Sequence, residues 1–231
     1  MNFLAHAFLA GTDDDAILGS LLGDFVKGCP EGRFSAAVSE AIRLHRRIDS
    51  YSDAHRITRR SRNRITPSRR RFAGIIVDVG YDHFLSRHWR RFSSMELGPF
   101  VHRVYTVLSR HCPLLPERLS HILPRMISEN WLGSYIRLEH VGDALDRIAG
   151  RLSRGGRFLH AVTEIEDNYE TLEADFLTFF PELVSFCTDA KQRGEIDPGK
   201  RPAGSHPGDV GSHLKNCRSQ PRAGRTPIKN T

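Results

Sequence analysis

The chain has 231 residues, 39% hydrophobic and 26% charged, with a net charge of +7. That length can bury an apolar core without staples, and Cys29, Cys112, Cys187 and Cys217 are too scattered for a disulfide framework or a structural zinc site. The start, with Asp13, Asp14 and Asp15 and no basic leader, and the lack of a long apolar run predict a soluble, cytoplasmic protein in a reducing compartment, with no membrane segment.

The predicted elements are helical throughout. Phe3, Leu4 and His6 belong to a short first helix. Asp15 is positioned to cap a helix from Ala16 to Lys27 that stops at Gly28, and Ser35 to cap another reaching about Ser50. Pro67 separates two further segments, and residues 71 to 91 read as a long helix, although Ile75-Ile76-Val77 alone would pass for a short buried strand. Helices follow over 95–110, over 117–135 with an interruption at Pro124, and over 141–152. From Phe158 to Leu183 the apolar residues alternate spacings of four and three, which predicts one helix with a core-facing stripe.

No period-two alternation competes, so the fold class is all-α: a single helical domain over residues 1–190. Residues 191–231 form a basic tail rich in Gly and Pro, expected to be disordered because it has too little apolar surface to offset the entropy of ordering. From Cys187 onward nine Lys or Arg face four Asp or Glu, so most of the charge lies there and the body is nearly neutral.

Acidic and histidine residues recur at helical spacing through the body. Asp24 stands in Leu21-Leu22-Gly23-Asp24-Phe25-Val26, a segment that otherwise reads as core, where a carboxylate needs a metal or a cationic partner such as arginine. His45 and Asp49 are four apart on one predicted helix face, and Asp78 and Asp82 repeat that geometry. Two such pairs, with Asp24 from a third element and His6 as an additional candidate, would hold a divalent ion inside a bundle; imidazole and carboxylate ligands suit Mn²⁺, Fe²⁺ or Mg²⁺ better than structural zinc. Each has a plainer alternative: Asp49 can pair with Arg46 or Arg47, and His83 or His88 can be an ordinary core histidine.

Between His55 and Arg71 stand eight arginines and no acid. Arg56, Arg59, Arg60, Arg62 and Arg64 among them are candidates for binding an acidic protein or a nucleic acid, the alternative being a solvated basic loop. No phosphate-binding glycine loop or nucleophile elbow is present.

Several separated blocks carry a family resemblance: Met1-Asn2-Phe3-Leu4-Ala5-His6, Gly23-Asp24-Phe25-Val26-Lys27-Gly28, Leu44-His45-Arg46-Arg47-Ile48-Asp49, Asp82-His83-Phe84-Leu85-Ser86-Arg87-His88-Trp89, Ser128-Glu129-Asn130-Trp131-Leu132 and Phe179-Phe180-Pro181. In these the chain resembles the acyl carrier protein phosphodiesterases over roughly residues 1 to 190. The resemblance implies an HD-like helical bundle, Mn²⁺ as the favoured ion, and hydrolysis of the phosphodiester joining 4'-phosphopantetheine to a serine of holo acyl carrier protein. The adjacent His-Asp doublet of the wider HD phosphohydrolases is absent, so their ligand set does not transfer. Combined with the spacing, the expected site has Asp24, His45 and Asp78 on the metal with Asp49 or Asp82 helping, His83 as general acid, and Arg46 or Arg47 neutralising phosphate charge. A nucleotide phosphohydrolase and a non-enzymatic helical nucleic-acid-binding protein are the rival readings.

Overall fold

The computed structural model describes residues 1–151 and 155–193. The basic tail from residue 194 lies outside the described residues, and with it most of the expected disordered segment. Among the described residues there are twelve α-helices and no strands, and no helix is long and apolar enough to cross a membrane.

In chain order α1 is Phe3–Ala10, α2 Asp14–Leu22, α3 Ala36–Ala54, α4 Arg56–Arg64, α5 Ala73–Arg87 and α6 Trp89–Phe92. Then come α7 Leu97–Arg110, α8 Glu117–Ser128, α9 Trp131–Ser134, α10 Leu138–Ala149, α11 Val162–Asp167 and α12 Tyr169–Gln192.

Helix α2 starts two residues before the expected position. Asp13, not Asp15, is its cap, accepting from the Ala16 amide at 3.0 Å, which leaves Asp14 and Asp15 in the first turn where the helix dipole favours acids. Asp15 instead accepts from the Ser35 hydroxyl at 2.9 Å, and Ser35 caps α3 as the sequence predicts, accepting from Val38 N at 3.2 Å. The two helices pack closely. A Cβ on Gly19 would collide with the Ala41 side chain and the Val38 carbonyl, so only glycine permits this approach.

Helix α5 runs through the middle, touching α1, α4, α10, α11 and α12. Ile75-Ile76-Val77 is helical, since its flanks continue the helical pattern that three β-branched residues alone cannot overturn. Tyr81 and Phe84 of α5 meet Phe176 and Phe179 of α12, extended by Phe180, Phe92 and Phe8. Each fully buried ring of this cluster contributes roughly 2–3 kcal/mol of transfer free energy.

Two expected helix features differ. Pro124 lies inside α8 at an exposed position without breaking it; the chain turns at Asn130, whose φ of 47° is left-handed. The 158–183 stripe is buried or partly buried as predicted, but the helix is interrupted at Asn168, whose side chain donates to the Glu164 carbonyl at 3.0 Å and so competes with the helical ladder.

Candidate metal centre

The side chains that converge are His6, His45 and Asp49. Their ligand atoms lie within 4.8 Å of one another. Helix α1 supplies His6 and α3 supplies His45 and Asp49 one turn apart. The two imidazoles stack at 3.8 Å, His6 Nε2 is 3.1 Å from Asp49 Oδ1, and His45 Nε2 is 3.2 Å from Asp49 Oδ2.

Asp24 joins from the turn after α2, with Oδ1 3.5 Å from His45 Nε2. It is not the buried carboxylate that its neighbours suggested. Its side chain is 46% exposed, because Gly23 and Asp24 form a turn in which Phe25 N and Val26 N both return to the Leu22 carbonyl.

The donor set fits a cation on two observations. His45 Nδ1 lies 2.6 Å from the Ser20 carbonyl, to which it must donate, so a neutral ring turns its Nε2 lone pair toward two carboxylates. That arrangement needs a positive charge between the groups, whether a proton or an ion. His6 Nδ1, in addition, is buried without a hydrogen-bond partner.

Electrostatics agree. Burial pushes the His6 imidazole down to about 4, so it is neutral and able to ligate at physiological pH. Burial alone would also lower His45, but hydrogen bonds to Asp24 and Asp49 outweigh it and carry the ring to about 9. Burial would raise Asp49, yet His45 and His6 hold its carboxyl far below the usual range.

The other expected ligands stand one layer back. Asp82 is fully buried and accepts from Leu4 N at 2.9 Å and Ala5 N at 3.0 Å, so both oxygens cap the start of α1. Asp78 has Oδ2 3.4 Å from the Met1 amino group, which is also 3.4 Å from Asp49, while its Oδ1 is buried without a hydrogen-bond partner, 3.9 Å from the Arg62 guanidinium. Neither belongs to the converging set.

His83 is a core histidine in this geometry: Nδ1 donates to the Tyr135 carbonyl at 2.7 Å and Nε2 meets the Tyr169 hydroxyl at 3.0 Å. With both nitrogens engaged, nothing supports it as general acid. Arg46 donates to Val26 O at 2.7 Å and braces the turn that carries Asp24, whereas Arg47 lies over the Phe186 ring of α12.

The arginine run is not the free positive surface that its composition implies. Arg60 and Arg64 pair with Asp175, which is 2% exposed, and Arg62 pairs with Asp53. Arg69 likewise pairs with buried Glu164. Arg56 and Arg59 remain exposed with no acid partner among the described residues. Asp175 lies 115 residues from Arg60 and Glu164 lies 95 from Arg69, so the local sequence could not reveal those two acids.

Beside the metal group opens a cleft of about 300 Å³. Asn2, Phe3, Asp24 and Phe25 form one part of its lining, Phe3 stacking on Phe25 at 6.2 Å. Arg118 and Ile122 of α8, Trp131 and Tyr135, and Ala144, Arg147, Ile148 and Arg151 from α10 and its end complete it. Sequence reasoning assigned no role to these arginines, although the i,i+4 spacings of Arg118 with Ile122 and Arg147 with Arg151 were the available signal.

Residues 1–183 match the profile of the family described as acyl carrier protein phosphodiesterase. Similar curated proteins of that description occur in Serratia proteamaculans, 35% identical over 190 residues covering 82% of this chain and 98% of the relative, and in Yersinia enterocolitica, with the same identity and coverage. The relative in Photorhabdus laumondii is 36% identical over 185 residues, 80% of this chain and 93% of its own length. No solved structure matches the chain. With the match spanning nearly the whole helical body and both elements that build the His6, His45 and Asp49 group, the chain belongs to the acyl carrier protein phosphodiesterase family.

Proposed function

We propose that the chain hydrolyses the phosphodiester linking 4'-phosphopantetheine to the carrier serine of holo acyl carrier protein, releasing the apo carrier, with a divalent ion held by His6, His45 and Asp49 and with Asp24 as the exposed fourth donor. The convergence of those side chains from α1 and α3 carries the reading. A bound divalent ion supplies activation of water and neutralisation of charge on the phosphoryl oxygens. Mn²⁺ suits the mixed imidazole and carboxylate set.

The residues divide the remaining work. His6, kept neutral by burial, offers a nitrogen lone pair without first losing a proton. His45 is oriented by its Nδ1 hydrogen bond to Ser20 O, which fixes the tautomer and directs Nε2 to the site. Asp49 stays ionised and spans both rings. Asp24, at the cleft wall, is the donor that incoming substrate meets, and Arg46 holds its turn in place.

The test is to incubate holo acyl carrier protein with the purified chain, with Mn²⁺ and after chelation, and follow the carrier by mass spectrometry. Loss of the phosphopantetheine group only in the presence of the ion is expected. Nucleotide hydrolysis with an untouched carrier would replace this reading by that of a nucleotide phosphohydrolase.

A further inference from the structure

Three arginines, Arg118, Arg147 and Arg151, line the cleft beside the metal group. Arg147 lies over the Trp131 ring at 4.6 Å and 3.8 Å from Glu129. Neither Arg118 nor Arg151 has an acid partner among the described residues. Three like charges in one lining, only one of them paired with an acid, are a cost in the free protein and a gain once an anion arrives.

The rest of the lining asks for more than an anion. Phe3, Phe25, Ile122 and Ile148 offer apolar walls, and Asn2 and Tyr135 offer hydrogen-bonding groups among them. Asn2 Nδ2 and the Tyr135 hydroxyl are 3.5 Å apart, a weak pair that a ligand amide can replace. Asp24 lines the same cleft and reaches the metal group through His45.

We propose that this cleft is the binding site for the 4'-phosphopantetheine group itself: a phosphate drawn by Arg118, Arg147 and Arg151, a branched apolar segment against the Phe3, Phe25 and Ile148 walls, and amides served by Asn2 and Tyr135. This assignment rests on the function proposed above and deepens it. A simple phosphate would not use the apolar walls. A neutral apolar ligand would not use the arginines. An acidic protein surface would not use the apolar walls, nor reach Trp131 and Tyr135, both buried. The cleft also lies within the size range of small-molecule sites.

The test titrates the full-length chain with free 4'-phosphopantetheine, pantetheine and inorganic phosphate, reading the fluorescence of Trp131 against a Trp131→Phe control. Binding of 4'-phosphopantetheine at least about tenfold tighter than either fragment is expected, since both halves of the lining contribute. The double variant Arg118→Ala/Arg151→Ala, which removes two exposed side chains, should lose about tenfold in that affinity while pantetheine binding changes little. Ile148→Trp, which fills the cleft, should raise KM for holo carrier about tenfold with kcat nearly unchanged. Equal binding of phosphate and 4'-phosphopantetheine, an unchanged KM in Ile148→Trp, or quenching of Trp131 by apo carrier alone would each overturn the assignment. A wild-type chain that leaves holo carrier intact would instead count against the function, so the two failures are separate.

Discussion

The imidazoles of His6 and His45 stack at 3.8 Å with their planes 18° apart, so that both rings reach the single carboxylate of Asp49. Thirty-nine positions separate them in the chain. What brings them together is the packing of α1 and α2 against α3, and the absence of a side chain at one position, Gly23. A Cβ there would overlap the His45 ring, and its φ of −52° is ordinary helical backbone, so the requirement for glycine is purely spatial.

Gly23→Ala should therefore lower Mn²⁺ affinity by about 10–100-fold, the range seen when a ligand's orientation is disturbed, with helical circular dichroism retained. Gly74→Ala is the control, because a methyl group there meets only Arg62 side-chain atoms at an ordinary 3.7 Å. Electron paramagnetic resonance of free Mn²⁺ measures both. Wild-type affinity in Gly23→Ala would remove His45 from the ligand set.

Ion binding should release a proton from His45. Without an ion its ring is protonated up to about pH 9, so an ion arriving at neutral pH has to displace that proton. The sign follows: affinity rises with pH until His45 is deprotonated, by up to about tenfold per pH unit, and then levels off. Calorimetry in two buffers of different ionisation enthalpy should count close to one proton per ion at pH 7. A count of zero would mean that His45 keeps its proton and is not a ligand.

Asp82 serves the site by fixing α1. Asp82→Ala leaves two buried amides, Leu4 N and Ala5 N, without an acceptor, and should cost about 2–4 kcal/mol in urea unfolding, together with a loss of activity as His6 loosens. The pH profile gives a second signature. Burial raises the Asp82 carboxyl to about 7, opposed by its two amide donors, whereas in the unfolded chain it titrates near 3.8. Between those values the folded state holds a proton that the unfolded state has lost, so this group makes stability fall as pH rises through the window and adds no slope above it. In Asp82→Ala that part of the slope should vanish; an unchanged profile would show that Asp82 does not titrate there.

Arg59 and Arg60 are neighbours in sequence with different fates. Arg60→Glu sets a carboxylate against buried Asp175 and should lower the urea midpoint clearly, while Arg59→Glu, on an exposed position, should leave it nearly unchanged. If the two variants unfold alike, the Asp175 pairing does not contribute to stability.

The sequence by itself determined the helical class, the Ser35 cap and the apolar stripe of α12, and it offered His6, His45, Asp49 and Asp24 among six metal candidates, because helical period, capping chemistry and one-turn spacing are local properties. Local spacing could not say which acids meet across helices. Asp78 and Asp82 have the same i,i+4 pattern as His45 and Asp49, yet Asp82 turns to the amides of α1 and Asp78 to the Met1 amino group. Nor could it foresee that Asp24 lies on a turn, that Asp175 and Glu164 answer the arginine run, or that α8 and α10 bring Arg118 and Arg147 to the cleft beside α1. Those pairings were decided only in the tertiary structure, since burial and long-range charge depend on which helix faces come together, and no window of neighbouring residues contains that information.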